Sequence, residues 1–233
     1  MPTSRRVSPY TAAVFDMDGL LLDSERPVRA AWLHVAASLG VELTAPIYLD
    51  LVGLNHREST ARLQAIFGDA ALLADAHAQV VARLAAQFGD KPFDVKPGAR
   101  RLLQSLREAG VPCAVASSTT HDEVRRRLER AGLLGFFGAV CGGNEVAHGK
   151  PNPDIYLLAV KRLGASATRT LAFEDSGHGA LAALAAGLGV VLVPDLKPAE
   201  PAWQSRSTAV LVSLNEACER CNEWFGFVCT VAD

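Results

Sequence analysis

Short apolar runs and helix-length segments take turns along the second half of this chain, and that rhythm constrains the fold more than any other feature. Residues 112–116, 137–141, 170–173, 190–193 and 209–212 are apolar runs that end in polar or glycine-containing turns, and residues 12–15 form a sixth run near the start. Helix-length segments at 122–131, 153–163 and 179–186 lie between the later runs. Strand and helix in regular alternation mean parallel strands joined by crossover helices, so a doubly wound α/β domain with a Rossmann-like parallel sheet is expected. Ligands of such sheets sit outside the carboxyl ends of the strands. Chemistry is therefore to be sought just after each apolar run.

The rhythm fails between residues 24 and 95. Val28, Ala31, Trp32, Val35 and Leu39 recur near a 3.6-residue period, as do Leu73, Ala76, Val80, Leu84 and Phe88, and no strand run is convincing there. The expectation is an all-helical subdomain over 24–95 inserted into an α/β core of 1–23 and 96–233. Its edges fall at the turn after Asp18-Gly19 and at the Gly- and Pro-rich stretch 89–98, both plausible hinges.

Composition removes several classes of function. The 233 residues carry 23 Lys+Arg against 25 Asp+Glu, a formal charge of −2, which argues against a nucleic-acid binder that neutralises many phosphates. Arg125, Arg126, Arg127 and Arg130 are interrupted by Glu129 and preceded by Glu123, and read as the solvated face of a helix. The longest charge-free apolar run, 179–193, has 15 residues and three glycines, short of the ~20 that a bilayer requires. Arg5-Arg6 are followed by too short an apolar stretch for an export signal. Five cysteines, an odd number without a framework, suggest reduced thiols and a cytoplasmic protein. Cys218-x-x-Cys221 with Cys229 is the one spacing that suits zinc or redox chemistry; its place in a C-terminal helix, with no second pair, favours a structural reading.

The strand ends hold an unusual collection. The first delivers Asp16-Met17-Asp18-Gly19, two carboxylates that can project into one space, with a glycine for the turn. The second delivers Ser117-Ser118-Thr119-Thr120 ahead of a helix start, a natural place for anionic oxygens. Lys150, one of only five lysines, lies between Gly149 and Pro151 in a stiffened loop, and the fourth strand run ends in Glu174-Asp175-Ser176. Each alone reads as capping or an acidic turn. Together they place carboxylate pairs, a hydroxyl and an ammonium at neighbouring strand ends. Clustered carboxylates call for a hard, oxygen-preferring cation such as Mg²⁺, and a lysine and hydroxyl beside it would hold phosphoryl oxygens. Phosphoryl transfer is the simplest chemistry for the set.

In order and spacing, Asp16-x-Asp18-Gly19, Ser117, Lys150-Pro151 and Glu174-Asp175-Ser176 resemble the four motifs of the haloacid dehalogenase (HAD) superfamily. The phrase from Phe15 to Glu25 looks like its phosphatase and β-phosphoglucomutase-like branch, and the helical insertion is similar to that family's cap. The resemblance implies that Asp16 is the nucleophile, forming an aspartyl-phosphate, and that Asp18 is the general acid and base. It also implies Mg²⁺ on Asp16, Asp175 and the Asp18 carbonyl with Glu174 as a direct or water-mediated partner, and Ser117, Lys150 and Ser118 around the phosphoryl group. Dehalogenation has no use for Asp18 or the acidic pair. A response-regulator-like phosphoacceptor domain has no use for an acid two residues past its nucleophile, nor for a helical lid. Mutases of this branch carry a histidine in the first cap helix where this chain has Val28, which favours a hydrolase over a sugar phosphomutase.

Substrate choice is expected in the cap. The polar segment 53–58 reads as a specificity loop, with Asn55, His56 and Arg57 as candidate contacts and Glu25 and Arg26 as further ones. His121 and His178 read as helix-start residues. A monomer acting on a small phosphomonoester, with no nucleic-acid or membrane partner, is the resulting expectation.

Overall fold

The computed structural model describes residues 9–52 and 56–229. Six parallel strands, β1 (Ala12–Phe15), β2 (Cys113–Ser117), β3 (Ala139–Gly142), β4 (Thr170–Glu174), β5 (Gly189–Leu192) and β6 (Ala209–Val210), form one sheet in the order β3-β2-β1-β4-β5-β6. Strands buried on both faces must be apolar throughout rather than alternating, and β1, as AAVF, has no exposed residue. Phe15 pairs in register with Val115 on one side and Phe173 on the other, where the two rings stack with centroids 4.7 Å apart. That register brings Asp16, Ser117 and Glu174 out at one edge of the sheet.

Eleven helices are described: α1 (Glu25–Ser38), α2 (Ala45–Leu49), α3 (His56–Phe67), α4 (Ala70–Phe88), α5 (Ala99–Glu108), α6 (His121–Arg130), α7 (Asp154–Leu163), α8 (Gly177–Ala185), α9 (Pro201–Gln204), α10 (Leu214–Glu219) and α11 (Cys221–Phe225). Successive strand residues point to opposite faces, and each face has its own layer. Phe15 and Val115 pack with Leu102 and Leu106 of α5, Val124 and Leu128 of α6, and Trp224 of α11. Val14 and Val190 pack on the other face with Ile155 and Tyr156 of α7 and Ala180 and Ala183 of α8. The doubly wound expectation holds, and the strands lie within two residues of the predicted runs at each end.

The described residues between 25 and 88 hold α1 to α4 and no strand, and they close around a third apolar cluster that includes Trp32, Val35, Tyr48, Phe67, Leu73 and Val80. Two linkers join these helices to the sheet, and they run side by side. Asp23 N–H donates to the Asp94 carbonyl (2.8 Å), Lys96 N–H donates to Leu21 (2.9 Å), and Leu22 and Val95 form an antiparallel bridge. Asp195, in the loop after β5, accepts through one oxygen from the second linker and from the first turn of α1: Lys96 Nζ at 2.5 Å and Arg26 Nη1 at 2.7 Å.

Three expectations need correction. Helix α5 was not foreseen, although Leu102, Leu103 and Leu106 share its buried face. The C-terminal helix is two short ones separated at Arg220, so Cys218 lies in the last turn of α10 and Cys221 opens α11. Residues 56–58 are the first turn of α3 rather than loop. All five cysteines are free and buried, and Cys229 Sγ lies 3.2 Å from Cys221 Sγ. Among the described residues no single helix is long and apolar enough to cross a membrane.

Gly98, at φ +86°, starts α5 where a Cβ would run into the backbone of Leu214 and Asn215. Gly98→Ala is therefore expected to lower stability by about 1–3 kcal/mol from its backbone conformation alone, measured as a fall in the urea midpoint relative to the parent chain.

Candidate active site

The site starts where β1 ends. Asp16 continues the sheet by one residue, its N–H donating to the Phe173 carbonyl at 3.0 Å, and the chain then turns. The amides of Leu21 and Leu22 both donate to the Met17 carbonyl, and Gly19, at φ +83°, donates to Leu22. A Cβ on Gly19 would collide with the Asp175 carboxylate, so glycine is needed both for the turn and for the approach of the acidic pair.

Lys150 is the centre of a buried charge network. Its side chain is 7% exposed, and its ammonium donates to Asp16 Oδ1 at 2.6 Å and to Glu174 Oε1 at 2.5 Å. Tyr156, brought up by α7, donates its hydroxyl to the same Glu174 oxygen at 2.6 Å. The other Glu174 oxygen accepts from the amides of Asp175 (3.1 Å) and Ser176 (3.3 Å) and from Ser176 Oγ (3.2 Å). Both oxygens of Glu174 are thus engaged by protein donors. This arrangement makes it the fixed counter-charge behind Lys150.

Burial pushes the Asp16 carboxyl up to about 8; Lys150 opposes this, while Glu174 and Asp18 add to it. Burial likewise holds Asp175 well above the usual carboxylate range, reinforced by Asp16, Glu174 and Glu25. For Lys150 burial alone would favour the neutral amine, but the carboxylates of Asp16 and Glu174 outweigh it and keep the ammonium. Two carboxylates in excess of nearby positive charge are a donor set that a divalent cation would relieve. Among the described residues no three His, Cys, Asp or Glu side chains converge on one point. Asp16 and Asp175 are the carboxylates here that suit a hard cation, and the resemblance noted above adds the Asp18 carbonyl, with water completing the shell.

Asp18 turns away from this network. Its Oδ1 accepts from Ser24 Oγ and from Arg127 Nη1, each at 2.7 Å, and its Oδ2 from Thr119 Oγ1 at 2.9 Å and Ser117 Oγ at 3.4 Å. Asp16, Asp18, Ser117, Ser118, Lys150 and Asp175 line one cavity of about 420 Å³, closed on the helical side by Glu25, Val28, Val52 and Ser59. Glu25, raised to about 7 by burial and by Asp18 and Asp195 against the pull of Arg127, belongs to the site. His178 also lines it, from the first turn of α8. Arg26 instead pairs with Asp23 and Asp195, and His121 with Asp122. Asn55 lies outside the described residues, as do the side chains of His56 and Arg57.

The reading of Arg127 as part of a solvated face is overturned. It sits at Val124+3 on the side of α6 that buries Val124 and Leu128, and its side chain is only 24% exposed against Asp18. The helical period contained that signal. Tyr156 and Thr119 join the network without a motif to mark them.

Residues 10–187 match the haloacid dehalogenase-like hydrolase family. The chain belongs to that family. It is 35% identical over 210 residues to a probable pseudouridine-5′-phosphatase of Drosophila melanogaster, covering 88% of this chain and 90% of the relative. A phosphorylated carbohydrates phosphatase of Thermotoga maritima is 32% identical over 177 residues, 76% of this chain and 82% of its own. In structure the chain is similar to CbbY of Rhodobacter sphaeroides in complex with xylulose-(1,5)bisphosphate, with a TM-score of 0.73 and 28% identity over 89% of this chain and 96% of that one.

If Glu174 is the fixed counter-charge of Lys150, its removal leaves a buried ammonium half-paired. Glu174→Ala is expected to cost about 3–5 kcal/mol, the scale for breaking a buried ion pair on one side, as measured by equilibrium denaturation.

Proposed function

We propose that this member of the family is a Mg²⁺-dependent phosphatase that hydrolyses a small phosphomonoester through an aspartyl-phosphate on Asp16. The observation that carries the reading is the division of labour between two carboxylates two residues apart. Asp16 is buried and held by Lys150, whereas Asp18 is held by hydroxyls and a guanidinium, and both face one cavity.

Lys150, with Glu174 fixed behind it, favours the ionised form of Asp16 against burial and holds one of its oxygens, leaving the other, the nucleophile, for the cavity. Ser117, at the end of β2, and the Ser118 side of the same loop receive the phosphoryl oxygens, and Lys150 offsets the charge that develops on them. Asp18 delivers a proton to the leaving oxygen and later takes one from the attacking water, and its four donors hold it in place for both steps. Mg²⁺, held by Asp16, Asp175 and the Asp18 carbonyl, would neutralise phosphoryl charge. The helical residues 24–95 act as a cap that carries leaving-group contacts and excludes water. Every residue in this scheme comes from one chain, so a monomer suffices.

Val28 supports a hydrolase over a mutase. It lines the cavity from α1 with an apolar side chain at the place where the related mutases carry histidine. The phosphatase names of the relatives from Thermotoga and Drosophila support the same choice, and a phosphorylated carbohydrate or nucleoside is the leading substrate class.

Two tests follow. Phosphate release from a panel of phosphomonoesters should require Mg²⁺ and vanish with EDTA or in Asp16→Asn. Asp18→Asn should slow turnover by about 10²–10⁴-fold, the size of a lost general acid, while a hexose-phosphate interconversion faster than phosphate release would point to a mutase. The second test reads stability. The Asp16 proton is held more tightly in the folded chain, at about 8, than the usual carboxylate holds it. Its contribution to stability is therefore complete below about pH 4 and is lost as pH rises through about 8. Mg²⁺ competes with that proton, so it should raise the melting temperature more at about pH 8 than at about pH 5.5. In Asp16→Asn the Mg²⁺ effect should shrink at both pH values.

A further inference from the structure

Arg127 carries chemistry that the motifs do not account for. It is the only cationic side chain besides Lys150 among the described residues lining the cavity, and Lys150 is bound to Asp16 and Glu174. The guanidinium is held rigidly. Its Nε donates to Glu123 Oε1 at 2.7 Å, its Nη1 donates to Asp18 Oδ1 at 2.7 Å, and its central carbon lies 5.3 Å over the Phe93 ring. A planar fork fixed on three sides loses little freedom when a further oxygen docks on its open edge. Nη2 is that edge.

Its position decides what it would meet. Asp18 is the group that faces the leaving oxygen in the proposed phosphatase reaction, so a donor 2.7 Å from Asp18 stands next to the first atoms of the leaving group. Because α6 belongs to the sheet layers, two of the three contacts that fix the guanidinium, Glu123 and Asp18, come from the core side. We infer that Arg127 selects phosphomonoesters whose leaving group carries an oxygen acceptor, a hydroxyl or a carboxylate, on the carbon beside the ester-bearing one. This inference rests on the phosphatase reading and adds a specificity determinant from the core side.

The test compares kcat/KM for propyl phosphate, glycerol 3-phosphate and phosphoglycolate, which offer no acceptor, a hydroxyl and a carboxylate at that place. The parent chain should prefer one or both oxygen-bearing esters over propyl phosphate by about tenfold or more, the scale of one hydrogen bond to a charged group. In Arg127→Met kcat should fall for all three esters alike as Asp18 loses a partner, while the preference itself should fall to about threefold or less, and Arg127→Lys should restore part of it. The winner between glycerol 3-phosphate and phosphoglycolate identifies the acceptor. Phosphate release without preference in the parent chain, or a preference unchanged in Arg127→Met, overturns the inference alone. No release from any of the three, nor from p-nitrophenyl phosphate, overturns the phosphatase reading and this inference with it.

Discussion

The ammonium of Lys150 is the constraint on which the rest of the site depends. An isolated charge buried to this depth is costly, and it is tolerated only when paired and hydrogen-bonded. Here it lies between two carboxylates from different strands, Asp16 after β1 and Glu174 at the end of β4, so it staples the two central strand ends together at the edge where the cavity opens. Tyr156 and the turn amides complete the coordination of Glu174, so the network extends from the sheet into α7 and α8. The fold supplies the geometry for this, because parallel strands in register bring their ends to one level.

The two carboxylates of the Asp16-Met17-Asp18 turn end in opposite surroundings by the same logic. Asp16 points into the buried network, where an ammonium and other carboxylates act on it. Asp18 points toward hydroxyls, the Arg127 fork and the linker residue Ser24. Neighbouring groups driven into different environments can take different roles in one reaction. The linkers stand close to this point as well: Ser24 touches Asp18, and Asp195 holds Arg26 and Lys96 together. Any movement of the helical residues against the sheet passes through these contacts.

Much of this could be read from residue order alone. Asp16, Asp18, Ser117, Lys150, Glu174 and Asp175 were expected at strand ends, and the cavity brings all but Glu174 to its wall. They were legible because an apolar run of strand length followed by a polar turn has one meaning in a parallel sheet. Glu174 stands behind the wall because burial and partners depend on packing across α7, which no local pattern encodes. Arg127 was misjudged for a related reason. A helix rich in arginine looks solvated by composition, yet residue 127 falls on the face of Val124 and Leu128. Helix α5 is similar: three arginines and three other polar residues mask the Leu102, Leu103 and Leu106 face.

The central claim is that Asp16 itself becomes phosphorylated. Asp18→Asn, incubated with Mg²⁺ and p-nitrophenyl phosphate, whose leaving group departs without a proton, should accumulate the intermediate, since the residue that activates water is disabled while the nucleophile is intact. Borohydride reduction of the quenched protein followed by peptide mass spectrometry should then find homoserine at position 16. Homoserine at another carboxylate, or an unmodified Asp16 in a sample that has released a full equivalent of leaving group, would contradict the account.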